Sequence, residues 1–291
     1  FLSLVGLRSF STDPANGFGG PFDTVWWAAH PYFLPCLIAG MLSAVSFLLA
    51  IRMLPESLPK EKRTYGAEEK GGLKAVLRNL VEVRDLSPNV RKLLLVNASF
   101  LLAFSMLHTT FILFTAMSIE NGGLGYDERM NGYIFAYVGL MGVIVQGGLI
   151  RPLSKIFEVR KLMIVGIIFT SIGLAWIPYL EPTPLAMALI AMAFIAVGNG
   201  LFSPSQSTMI TTEARITGLD LGRVMGAQEG FGALSRIIGP VLAAFIWSAT
   251  VEGAGIWTYH TVFQVAALIT LLGVIIQWGI SQTESNHSES E

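Results

Sequence analysis

Cysteine is all but missing from this 291-residue chain, with Cys36 the single one. One thiol forms no intrachain disulfide, and a cysteine-based metal or redox centre needs several such ligands. Cys36 stands at the start of an apolar run and reads as a small buried apolar residue. The chain also lacks a phosphate-cradling P-loop, a His-Glu-x-x-His metal motif and a Gly-x-Ser-x-Gly nucleophile elbow. Neither an enzyme nor a bound metal or cofactor is expected. Charged residues make up only 13% of the chain; the formal net charge of −1 says nothing about nucleic acid, and no nucleic-acid partner is expected.

What the chain has in abundance is apolar length. The hydrocarbon core of a bilayer is about 30 Å thick, which takes roughly 20 residues of helix to cross. Runs of that size lie near residues 31–54, 93–118, 131–150, 162–180, 185–207, 226–248 and 257–279. A soluble helical protein shows a polar face about every 3.6 residues, and the stretch LLLVNASFLLAFSMLHTTFILFTAM at 93–117 shows none. Strands of a membrane barrel alternate over about ten residues rather than running apolar for twenty. The expected fold is an all-α polytopic membrane helix bundle with seven transmembrane helices, and its first partner is the lipid bilayer.

The few charges fix an expected orientation. Arg52, Lys60, Lys62, Arg63, Lys70, Lys74, Arg78, Arg84, Arg91 and Lys92 crowd the gap after the first run. Arg151, Lys155, Arg160 and Lys161 follow the third run, and Arg215 and Arg223 follow the fifth. The alternate gaps hold only Arg129, with Arg8 near the start. By the positive-inside rule the crowded gaps are cytoplasmic, which puts the N-terminus outside and the C-terminus inside.

Five regions follow. Residues 1–30 form an external segment, with Trp26, Trp27 and Tyr32 near the headgroup level. Residues 31–54 are the first transmembrane helix. Residues 55–92 are a basic linker, in which Leu73, Val76, Leu77, Leu80 and Val81 recur at helical spacing. That pattern suits an amphipathic helix on the inner membrane surface or, equally, a linker helix packed on its own protein. Residues 93–280 hold six helices, and 281–291 a polar tail expected to be disordered.

Several tracts resemble those of the major facilitator superfamily, and within it the tetracycline and multidrug proton antiporters. LPESLPK, from Leu54 to Lys60, resembles the exit of that family's sixth helix, and the basic gap its central cytoplasmic loop. RPLSKIFEVRK at 151–161 resembles the loop signature between the eighth and ninth helices, in which Pro152, Leu153, Ser154, Phe157, Arg160 and Lys161 fit. Arg151 and Glu158 stand where two glycines are expected, and Lys155 and Ile156 where an acid and an arginine are expected, so the family's loop salt bridge does not carry over. Residues 198–214 resemble the tenth helix and the loop after it, and Gly226 to Pro240 the eleventh. The resemblance covers about residues 17–280. It implies twelve helices in two six-helix halves, of which this chain would be helix six plus the C-terminal half, the N-terminal half being its missing partner. It also implies alternating access for a small organic solute or drug, with protons as the coupling ion in antiport.

The candidate site residues are the polar groups inside apolar runs. Glu229 and Arg236 are seven apart on one helix face, separated by about 10.5 Å of rise. An arginine near the membrane midplane is expensive and faces a partner or water, which leaves a structural or gating ion pair and direct substrate or proton handling both open. His108 is a proton relay, since imidazole titrates near neutrality, or a hydrogen-bonded interhelical histidine. Asn97, Gln146, Asn199, Gln206 and Gln228 line a cavity or stitch helices together. Arg151, Lys155, Glu158, Arg160 and Lys161 are the gating-loop candidates. Pro204, with Asn199 and Gly200 before it, and the pair Gly239–Pro240 are the expected helix bends.

Two competing readings come from other classes. A non-transporting membrane interaction module would keep the bundle without the flux. A seven-helix receptor shares the helix count and orientation, but the chain has no external cysteine pair, no acidic-Arg-aromatic triplet after the third run and no Asn-Pro in the last.

Overall fold

The computed structural model describes residues 33–53, 86–182, 184–251 and 258–279. The expected external segment, most of the basic linker with its amphipathic helix, and the C-terminal tail lie outside the described residues. Among the described residues, seven helices are long and apolar enough to cross a membrane. The chain is an integral multi-pass membrane protein with an all-α fold.

The chain divides into two compact units, one made of residues 1–70 and 128–136 and the other of 71–127 and 137–291. In the first unit, α1 (Phe33–Met53) is apolar on all sides. Apart from Arg52 in its last turn, its polar side chains are two serines, Ser43 and Ser46, whose hydroxyls donate to the carbonyls of Ala39 and Leu42, each at 2.9 Å. Such back-bonding is how a hydroxyl is satisfied where lipid offers no partner. Cys36 is exposed rather than buried, because a helix apolar on every side need not turn its thiol toward protein.

The second unit holds α2 (Pro88–Ala116), α4 (Ile150–Ile156), α5 (Val159–Trp176), α6 (Leu185–Ile216), α7 (Leu221–Val251) and α8 (His260–Trp278). The helix α3 (Glu128–Ile144) begins in the first unit and ends in the second. Helix starts follow local chemistry. The Ser87 hydroxyl accepts from the Val90 amide at 3.3 Å with Pro88 just inside the helix, which is why α2 begins before its apolar run. An Asp220 carboxylate oxygen caps α7 by accepting from the Arg223 amide at 2.8 Å. α6 ends where Gly218 takes φ +66°, a left-handed turn that lets the Leu219 amide reach back to the Ala214 carbonyl at 2.9 Å.

Several helices overrun the apolar runs. α6 extends to Ile216, and α7 spans Leu221–Val251 rather than 226–248. At 32 residues, α6 is about 48 Å long at 1.5 Å per residue, which exceeds the hydrocarbon core. Polar ends can leave the lipid while the backbone bonds continue. The tract 151–161 is also less of a loop than its composition suggests: α4 covers Ile150–Ile156 and α5 starts at Val159, so only Phe157 and Glu158 connect them.

Pro204 and Pro240, the expected bends, do not coincide with the break in regular helix seen among the described residues. Helix continues through Pro204 in α6 and Pro240 in α7. The interruption lies between α3 and α4, where Val145–Leu149 forms a π-helical turn. Pro152 explains its position. In a regular helix its ring would clash with the carbonyl four residues back, that of Gly148, and a widened turn relieves that crowding.

Packing in the second unit is closest between α5 and α6. A Cβ on Gly166 would stand 2.7 Å from the Gly198 carbonyl oxygen, one on Gly198 would stand 2.6 Å from the Thr170 nitrogen, and one on Gly173 would stand 2.9 Å from the Ala191 carbonyl oxygen. The two backbones therefore touch along a seam about two turns long, as small residues permit where lipid gives no hydrophobic drive to association. Beside it sits a core of Leu93, Leu94, Val96, Phe100, Met163, Ile167 and Phe202, in which the Phe100 and Phe202 rings stack at 3.8 Å.

Candidate functional site

α2 and α7 run side by side, and most of the polar candidates fall along that pair. A Cβ on Gly232 would meet Leu101 at 2.9 Å and the Asn97 amide nitrogen at 4.0 Å. Further along, a Cβ on Gly239 would meet the Ser105 Cβ at 2.7 Å and the Leu102 carbonyl oxygen at 2.9 Å. Glycine at 239 is what allows α2 this close.

That approach solves a problem set by Pro240. Having no N–H, proline leaves the carbonyl four residues earlier without its helical donor, and that carbonyl belongs to Arg236. The Ser105 hydroxyl on α2 donates to it at 3.3 Å. A hydroxyl from a neighbouring helix thus replaces the missing amide, as a membrane interior requires. Gly239, Pro240, Ser105 and Arg236 act as one joint.

The Arg236 side chain points away from the joint. Its Nη1 lies 3.9 Å from Glu229 Oε2, so the two side chains close the two-turn gap between them. Both are open, 57% and 70% exposed, on a helix whose other exposed side chains include Leu234, Ile237, Ile238, Val241 and Phe245. Hydrocarbon is an expensive environment for that pair, so this stretch of α7 calls for water or a protein partner. His108, one turn beyond Ser105 on α2, is also exposed and stands edge-on to Phe104 at 4.7 Å. Asn97 and Gln228 are buried on the same two helices.

The remaining candidates separate from this line. Gln146 is exposed in the π turn, while its neighbour Val145 is buried where a Cβ on Gly200 would stand 2.6 Å from Val145 Cγ1. Asn199 is half-buried on α6. Gln206 is buried, its Nε2 donating to the Leu93 carbonyl at 2.7 Å.

Among the gating-loop candidates, Arg151 and Lys155 are exposed on α4. Glu158 and Lys161 pair at 3.2 Å with both side chains 64% exposed, and such surface pairs contribute only about 0–1 kcal/mol. Arg160 does more: its Nη2 donates to the Gln277 carbonyl at 2.7 Å. Lys92 Nζ donates to the Gly279 carbonyl nearby. Two cations from α5 and α2 therefore meet the unsatisfied carbonyls and negative dipole end of α8. This double cap was missed in the sequence; a basic pair and a helix end far apart in the chain carry no local signal of their meeting.

The opposite end is tied by aromatic groups. Tyr126 is buried and donates its hydroxyl to the Pro182 carbonyl at 3.1 Å. Burial pushes its phenol above the ordinary value, so it remains a donor through neutral pH. Tyr259 stacks on Phe114 at 5.6 Å, and Gln264 Nε2 donates to the Tyr179 hydroxyl at 2.9 Å. Among the described residues, no group of three or more His, Cys, Asp or Glu is placed to hold a metal ion.

Known proteins give the geometry its context. The Major Facilitator Superfamily model matches residues 4–219 and 148–291. The mouse Major facilitator superfamily domain-containing protein 10 is 28% identical over 269 residues, which are 86% of this chain and 54% of that protein. Its bovine counterpart is 30% identical over 271 residues, 84% of this chain and 53% of its own. The class E tetracycline resistance protein of Escherichia coli is 24% identical over 246 residues, 81% of this chain and 56% of its own. The chain spans about half the length of the curated relatives it matches. With the family model covering the greater part of its length, the chain belongs to the Major Facilitator Superfamily.

Proposed function

We propose that the chain forms part of a secondary active transporter that moves a small organic solute or drug by alternating access, with proton antiport as the coupling. The observation that carries this reading is the Glu229–Arg236 pair, exposed on α7 between apolar side chains. A charged pair in that position suits the wall of a water-filled path and would be costly against lipid. The match to a tetracycline resistance protein supports the solute class, and the basic gaps support a cytoplasmic C-terminus. In this reading α1 corresponds to the sixth helix of a twelve-helix protein and the later six spans to its C-terminal half. The N-terminal half supplies the facing wall.

Within the site, Arg236 and Glu229 are the charged elements, and His108 on α2 is the imidazole for proton relay. Asn97 and Gln228 contribute amides from the flanks. Gly239 and Pro240, held by Ser105, set where Arg236 stands.

The test is uptake into proteoliposomes containing the chain joined to an N-terminal half, with and without an imposed pH gradient. Saturable, gradient-driven flux that falls about tenfold or more in Arg236→Gln, a loss of roughly 1.4 kcal/mol, is the expected result. Flux that ignores both the gradient and the substitution would remove the proton-coupled reading. The chain reconstituted alone is expected to carry no saturable flux.

A further inference from the structure

The basic end of the second unit contains two glutamines whose amides are only half satisfied. Gln206 on α6 is 1% exposed and spends its Nε2 on the Leu93 carbonyl at 2.7 Å. Gln277 on α8 is 0% exposed and directs its Nε2 at Met209 Sδ, 3.6 Å away. Each keeps its Oε1 buried, with no protein group donating to it. A buried amide oxygen in that condition is costly, and in a bilayer no solvent relieves it.

Two chains of contact bring these amides to the same place. On α6, Met209 follows Gln206 by three residues, less than one turn. On α2, Lys92 bonds the Gly279 carbonyl at the end of α8, while the next residue, Leu93, accepts from Gln206. α8 and α6 thus meet α2 at consecutive residues, and Gln277 and Gln206 belong to one layer. Arg160 closes the layer from α5 by donating to the Gln277 carbonyl.

We propose that Gln206 and Gln277 hold an internal water in this layer, beneath the Lys92 and Arg160 caps. The stoichiometry fits: the layer presents two acceptor oxygens, each on an amide whose nitrogen already has a protein partner, and water carries two hydrogens to give. Buried waters settle on such otherwise unsatisfied polar groups. The water gives the basic end of the bundle a polar layer between apolar neighbours, joining α2, α6 and α8 through hydrogen bonds instead of close packing.

X-ray radiolytic labelling of the full chain in detergent or nanodiscs tests this, because hydroxyl radicals made from a bound water oxidise the side chain beside it. Met209 is the reporter, and Met163, fully buried in the adjoining core, is the internal control. Met209 is half-buried and oxidises faster than Met163 in any case, so the decisive reading is the ratio of the two rates, which is expected to fall at least several-fold in Gln206→Leu/Gln277→Leu. A ratio unchanged by the double substitution, or no excess in the parent chain, overturns the proposal. A second variant covers poor folding of the first: Gln277→Met is expected to lower the unfolding temperature, since it removes one anchor of the water. An unchanged or raised temperature would mean that the oxygen was dry, and the proposal would be wrong. Exchange of sodium for potassium is expected to leave both readouts unchanged; a sodium-dependent rise in unfolding temperature would assign the layer to a cation and overturn the water.

Discussion

The α5–α6 seam and the α2–α7 pair are both close helix contacts built on glycine, yet they do different work. Along α5–α6, Gly166, Gly173 and Gly198 bring backbone against backbone. Between α2 and α7 the close approach is made at Gly232 and Gly239, and polar groups add to it: Ser105 completes the Arg236 carbonyl while Arg236 reaches out to Glu229. The seam is shaped to stay shut. The joint carries charge on an exposed face, stabilised by a few hydrogen bonds of about 1 kcal/mol each, and is the better candidate for a moving wall. Glycine count alone does not tell the two apart; what each absent Cβ would touch does.

The largest effect should come from breaking the seam. Gly198→Leu places side-chain carbons inside the Thr170 and Gly166 backbone, and a loss upwards of about 3 kcal/mol is expected. Size-exclusion profiles and thermal unfolding in detergent will show it as aggregated or early-melting protein; a normal profile would mean that the two helices do not touch. Ser105→Ala strikes the joint instead and should cost about 1 kcal/mol, by leaving the Arg236 carbonyl without a donor. Restoring the hydroxyl with Ser105→Thr should recover part of it, whereas equal loss in both variants would point to packing rather than the hydrogen bond. The smallest change is expected on α3, where a Cβ on Gly142 would touch nothing within 4 Å. Gly142→Ala should raise stability by a few tenths of a kcal/mol through helix propensity, and a clear loss in the full-length protein would reveal a helix packed there by the other half.

Much of the fold was legible because apolar length and charge placement are local signals. LLLVNASFLLAFSMLHTTFILFTAM announces a membrane helix by itself, and tracts resembling the Major Facilitator Superfamily, such as GNGLFSPSQ, agree with the family match. The Glu229–Arg236 pair was also legible, since seven residues return to the same face after about two turns. Helix ends were less so: α2 begins at a Ser87–Pro88 cap outside its apolar run, and α4 converts most of a basic loop into helix. Pro152 and the Gly147–Gly148 pair contained the information for the π turn, but Pro204 and Pro240 drew attention as the more obvious breaks. Partners such as Ser105 with Arg236, separated by 131 positions, become visible only when helices are placed side by side.

The central claim is that the Glu229–Arg236 face of α7 meets water in the assembled transporter. Ala233 is exposed between them, four residues after Glu229 and three before Arg236. The one thiol of this chain is removed by Cys36→Ser, and with every cysteine of the remaining half replaced as well, Ala233→Cys in the full-length protein gives a single reporter. Modification by a charged, membrane-impermeant thiol reagent, slowed by substrate, is the predicted result. Reaction only with a lipid-soluble maleimide, unaffected by substrate, would place the face against hydrocarbon and contradict the account.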